Sequence, residues 1–86
     1  MTTGTAGGGV TSEAHGIPTT ALDTITLISV VLIGADGAVV ENGNPYGHAN
    51  SNYTCNVTST NIEVDVPAAQ TNVASQTLRV YIKGTA

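Results

Sequence analysis

The chain has no tryptophan, no phenylalanine and one cysteine among its 86 residues, and only two of its side chains are basic. Each shortage excludes something. Without Trp or Phe the core must be built from Val, Ile and Leu. The lone Cys55 excludes an internal disulfide. A body this small rarely draws more than roughly 3–5 kcal/mol from one core, and such chains usually add disulfides, a metal or oligomerisation. No ligand cluster for a structural metal is visible, so self-association or docking on a partner is the expected remaining source of stability.

Arg79 and Lys83 stand against six acidic residues, for a formal net charge of −4. That is a poor electrostatic footprint for nucleic acid or anionic lipid, and neither is expected as a partner. Only 9 % of residues are charged, while Thr, Asn, Ser and Gly abound. The surface is therefore largely neutral and polar, a composition that suits packed assemblies, shells and fibres. The N-terminus shows neither a basic n-region nor an apolar h-region, and the one apolar run is far shorter than the ~18 residues of a membrane helix. No signal peptide and no membrane span are expected.

That run, Ile25 to Ile33, is dense in β-branched residues and closed by Gly34. Thr24 and Thr26 alternate with Ile25 and Leu27, the period of a strand with one wet face. From Val30 to Ile33 both faces are loaded. Either the strand becomes covered on both sides, or a bulge near Ser29 swaps its faces. In both cases an apolar pair remains that one thin sheet cannot cover.

Gly34-Ala35-Asp36-Gly37 predicts a turn and Ala38 to Glu41 a returning strand, together a hairpin. A turn-rich loop follows from Asn42 to Gly47. Tyr53, Cys55 and Val57 alternate with polar residues as a third strand, and Ile62, Val64 and Val66 as a fourth, which Pro67 stops. In the last, Leu78, Val80 and Ile82 face one way and Thr77, Arg79, Tyr81 and Lys83 the other. Laid antiparallel beside the fourth strand, it would set its two cations against Glu63 and Asp65. The segment from Ala68 to Gln76 reads as a small, polar linker. The expected fold is all-β: a small sandwich or barrel of about five or six short antiparallel strands. Residues 1–21 hold only Val10 and Ile17 as large aliphatics beside Gly7-Gly8-Gly9, which predicts a flexible arm preceding a single β-domain at 22–86.

Chemistry is sparse. Glu63 and Asp65, about 6.5–7 Å apart on one strand face, have the spacing of a carboxylate pair but read as a solvated face. His15, His48 and Cys55 match no close-paired ligand motif, and neither a metal nor a cofactor is expected. Cys55 reads as a buried, inert thiol. The triple glycine lacks the Lys-Ser/Thr of a phosphate loop. The triplets at Asn52 and Asn56 fit the N-glycosylation pattern but are expected by chance in so Asn- and Thr-rich a chain. No nucleophile, base and orienting group occur together, so an enzyme is not expected.

The Gly-, Thr- and Ala-rich arm from Thr2 to Thr20 leads into a charge-poor β-body ending Thr77-Leu78-Arg79-Val80-Tyr81-Ile82-Lys83. In this the chain resembles the small head decoration (cement) proteins of tailed bacteriophages. The resemblance implies a non-enzymatic virion protein on the outside of a capsid, often a trimer, that clamps neighbouring major capsid protein subunits partly through its arm. The expected interface comprises Val30, Val31, Leu32 and Ile33 with Val10 and Ile17 of the arm. The alternative is a tail-fibre or adhesin-type sandwich that binds carbohydrate or a surface protein through the loop bearing Tyr46, His48 and Asn50.

Overall fold

The computed structural model describes residues 1–17 and 26–83. Six strands occur among them: β1 (Val10–Ala14), β2 (Thr26–Ile33), β3 (Val39–Glu41), β4 (Thr54–Val57), β5 (Asn61–Asp65) and β6 (Leu78–Lys83). All pairings are antiparallel, and they form two three-stranded sheets, β1-β5-β4 and β3-β2-β6. The sheets pack face to face, so the fold is a small all-β sandwich, as the alternation predicts. The predicted start of β2 at Ile25 and the expected boundary between Ala21 and Leu22 lie outside the described residues.

The long strand β2 organises the second sheet. Its register with β6 runs Thr26↔Lys83 and Leu27↔Ile82, then shifts at a bulge to Ser29↔Tyr81, Val30↔Val80, Val31↔Arg79 and Leu32↔Leu78. Leu27 and Val30 are three apart, and a regular strand would point them to opposite sides. The extra residue reverses the alternation, so both face inward, Leu27 half-buried against the core and Val30 within it. Of the two explanations for the doubly apolar run, the bulge is the one observed.

The inner faces supply Val30, Leu32, Val40 and Leu78 from one sheet and Tyr53, Cys55, Val64 and Val66 from strands or strand ends of the other, joined by Val73. Aliphatics and one tyrosine thus fill the space, each large buried side chain being worth about 1.5–3 kcal/mol. Val73, fully buried, sits in the stretch that reads as a polar linker. That linker is a chain of turns pinned over the sandwich end, with Val73 as its plug.

Two expectations are corrected. β6 does not pair with β5: Glu63 lies between Ser12 and Asn56, and Asp65 between Val10 and Thr54, while Arg79 and Lys83 belong to the other sheet. The ion-pair argument for that pairing is worth only a few tenths of a kcal/mol. Pairing β6 with β2 instead buries Leu78 and Val80 against Leu32 and Val30. The first 17 residues are also laid on the body rather than standing off it. Thr3 is buried, donating through Oγ1 to the Val73 carbonyl at 2.7 Å, and its amide reaches the Gln76 carbonyl at 2.8 Å. The Gly7 amide bonds Val66, and β1 adds a strand to β5. Backbone hydrogen bonds, which need no aliphatic side chains, hold this segment.

Candidate functional site

The outer faces of the two sheets differ in kind. On β1-β5-β4 the outward side chains include Val10, Ser12, Glu63, Asp65, Thr54 and Asn56, a single exposed aliphatic at the edge strand on an otherwise polar surface. On β3-β2-β6 the outward rows are Ile33 beside Val39, then Glu41–Val31–Arg79, then Ser29 beside Tyr81. Ile33 is 53 % exposed, Val39 65 % and Tyr81 49 %, with Val31 half-buried among them. Apolar side chains in three adjacent rows make a patch rather than scattered exposure. A ridge formed by Val31 is flanked by two shallow grooves. One, of about 260 Å³, is lined by Val31, Ile33, Gly34, Gln76, Thr77 and Arg79. The other, of about 480 Å³, is lined by Ser29, Val30, Val31, Val39, Glu41 and Asn42.

The residues expected at an interface therefore divide. Val31 and Ile33 lie on this face. Val30 and Leu32 point their side chains into the core, 7 % and 0 % exposed. Val10 is exposed at the edge of the other sheet, and Ile17 follows it with its amide bonded to His15 Nδ1, so neither joins the patch. Val39, Tyr81, Glu41 and Arg79 complete the face without having been singled out as interface residues. The alternation Val39-Val40-Glu41 with Val40 inward was the available signal, once the hairpin register is known.

The loop after β3 forms a second feature. Tyr46 projects from its tip, 85 % exposed. The base is stiff because Asn44, buried and in the left-handed region at φ 50°, ties it together: its Nδ2 donates to the His48 carbonyl and Asn52 Oδ1, and its Oδ1 accepts from the His48 amide. His48 Nε2 donates to Asp36 Oδ2 at 2.6 Å, joining this loop to the β2–β3 turn. That hydrogen bond, with a second from the Ala38 amide, holds the Asp36 carboxyl down at about 2. Asn50, at φ 56°, lends its carbonyl to the Asn72 amide. Asn72 in turn accepts from the Asp36 amide and donates to Ser51 Oγ, pinning three loops at once. Neither Asn44 nor Asn72 stands out in so Asn-rich a sequence.

The reactive side chains are engaged in structure. The Cys55 thiol is buried and burial pushes its pKa up, so it stays protonated. His15 accepts from the Ile17 amide at Nδ1 and so donates from Nε2 to the Thr58 carbonyl. Among the described residues no three His, Cys, Asp or Glu side chains are grouped so as to hold a metal ion, and no helix is long and apolar enough to cross a membrane.

Fold and surface together define a small antiparallel β-sandwich with one apolar outer face. Comparison with family models, with curated proteins and with solved structures returns no match.

Proposed function

We propose that the chain is a non-enzymatic structural subunit that decorates or cements a viral capsid, laying the outer face of β3-β2-β6 against neighbouring subunits. The observation that carries this reading is the contrast between the two outer faces: one solvated, the other presenting Val31, Ile33, Val39 and Tyr81 in adjoining rows. Covering that face removes apolar surface from water at about 25 cal/mol per Å². The capsid as the particular assembly rests on the resemblance of the whole chain to head decoration proteins.

Mass spectrometry of purified particles tests it. The chain is expected in fixed proportion to the capsid protein, and Val31→Asp is expected to release it, whereas Thr54→Asp on the solvated face leaves it bound. Equal behaviour of the two variants, or absence of the chain from particles, overturns the reading.

A second reading has its own observation. Tyr46, almost fully exposed on a loop stiffened by Asn44, has the geometry of an aromatic platform for a sugar ring. It makes the chain a tail-fibre or adhesin-type carbohydrate-binding module. Glycan-array binding lost in Tyr46→Ala would favour it over the capsid reading.

A further inference from the structure

We infer that the outer face of β3-β2-β6 docks on the same face of a second copy of this chain, about a two-fold axis running along β2. The inference rests on the reading of that face as an assembly surface and names its partner: the neighbouring subunit that the face covers is another copy of this chain rather than the capsid protein. Its ground is the order of side chains across the middle row. Glu41 on β3 and Arg79 on β6 flank Val31 on β2, each pair being directly cross-strand neighbours. Adjacent strands lie ~4.8 Å apart, so the acid and the base sit at nearly equal distances on either side of the ridge.

Two sheets stacked face to face by a dyad in the plane between them have two simple choices. With the axis perpendicular to the strands, β3 covers β3 and β6 covers β6, so Glu41 meets Glu41 and Arg79 meets Arg79. Like charges set against each other at a desolvated contact repel, which disfavours that arrangement. With the axis along β2, β3 of one copy covers β6 of the other. Val31 then meets Val31 at the centre, and Glu41 meets Arg79 twice, once on each side. Such an isologous contact is closed and self-complementary.

The same operation matches ridges to grooves. Val39 shares a row with Ile33, and the dyad carries it over the partner's groove between Ile33, Thr77 and Arg79. Tyr81 shares a row with Ser29 and is carried over the partner's groove bounded by Ser29, Val31, Glu41 and Asn42. Lys83 pairs with Thr26 two rows from Val31, beyond the three-residue β3, and falls outside the overlap. Three strands about 15 Å wide over the roughly 17 Å of β2 from Ser29 to Ile33 give on the order of 250 Å² per copy. That is about a third of a standard protein–protein contact, so the dimer belongs to the weak class that dissociates on dilution.

Sedimentation equilibrium of the purified chain over a concentration series into the millimolar range tests the inference. A monomer–dimer equilibrium is expected. Glu41→Arg and Arg79→Glu, both at exposed positions, should each weaken it about tenfold or more, because each sets like charges together at both ends of the row. Mixed in equal amounts, the two variants should form a heterodimer at least as tight as the wild-type dimer; this also shows that both are folded. A wild-type chain that stays monomeric throughout, a monomer–trimer equilibrium, or single reversals without effect would each overturn the two-fold contact. If the chain is monomeric alone while Val31→Asp still detaches it from particles, the dimer fails and the assembly reading stands.

Discussion

Tyr53 is the only aromatic side chain in the core, and it brings a hydroxyl with it. That hydroxyl donates to the Val40 carbonyl at 2.6 Å, fastening β3 to the start of β4 across the sandwich. Burial pushes the phenol up from 10.0 to about 12. The folded chain therefore holds this proton more tightly than the unfolded chain. The resulting stability is intact below pH 10 and is lost as pH rises toward 12, with the buried Cys55 thiol adding a loss of the same sign. Tyr53→Phe should cost about 1 kcal/mol at neutral pH, through the lost hydrogen bond, and should shrink the alkaline loss. Urea titrations of both proteins at neutral and alkaline pH measure the two effects. Asp36 acts at the other end of the scale. Its carboxyl is lowered from 3.8 to about 2 by the His48 hydrogen bond, so its contribution is present above pH 3.8 and disappears as pH falls toward 2. In Asp36→Asn, which retains an acceptor for the Ala38 amide, the acid-side slope of stability should flatten in that window. A slope unchanged from wild type would mean that the His48 contact does not persist in solution.

At the level of elements, β2 carries opposite roles on successive residues. Leu32 is fully buried and Ile33 is 53 % exposed, although the two are chemically alike. Leu32→Ala should cost about 2–5 kcal/mol by leaving a cavity between the sheets, whereas Ile33→Ala should stay within about 0.5 kcal/mol of wild type in the dilute chain. Thermal denaturation of the two variants distinguishes them, and comparable losses would place both in the core. Much of this was legible in the residues themselves. The alternation in β6, the Asp-Gly hairpin, the anomaly at Ser29 and the presence of a surplus apolar pair within Val30 to Ile33 all follow from local pattern, because period and turn chemistry are local properties. Partner choice was not legible. Opposite charges on β5 and β6 suggest a pairing, but the register of the eight-residue β2 sets Leu32 against Leu78 and Val30 against Val80, and hydrophobic burial exceeds an exposed ion pair. Val39 and Tyr81 escaped for the same reason: which way they face relative to Val31 depends on register, not on their own neighbours. Val73 escaped because one aliphatic among small polar residues has no period to betray it.

For the whole molecule, the first residues tie the halves of the sandwich together. Thr2 bridges Thr77 beside β6, and Met1 exchanges hydrogen bonds with Leu78, while Gly7 reaches the end of β5 and β1 extends the other sheet. The segment thus crosses from the edge of one sheet to the edge of the other, over the turns that hold Val73. Composition alone predicts the reverse, since two aliphatics cannot offset the ordering entropy of so many residues. The resolution lies in polar groups. Thr3 Oγ1 donates to the Val73 carbonyl and accepts from the Gln76 amide at 2.8 Å, so one buried hydroxyl satisfies a donor and an acceptor of the loop at once. Thr3→Val keeps the shape and removes both bonds, leaving buried backbone groups unpaired at about 1–3 kcal/mol. Thr2→Val, at an exposed neighbour, keeps its bridge and should change little. If the segment is part of the cooperative fold, Thr3→Val lowers the melting temperature and speeds hydrogen exchange at Ser75 and Gly7 together, because both amides are held by its docking. Faster exchange at those two amides with an unchanged melting temperature would instead make residues 1–7 a separately opening flap on a sandwich that is complete without them.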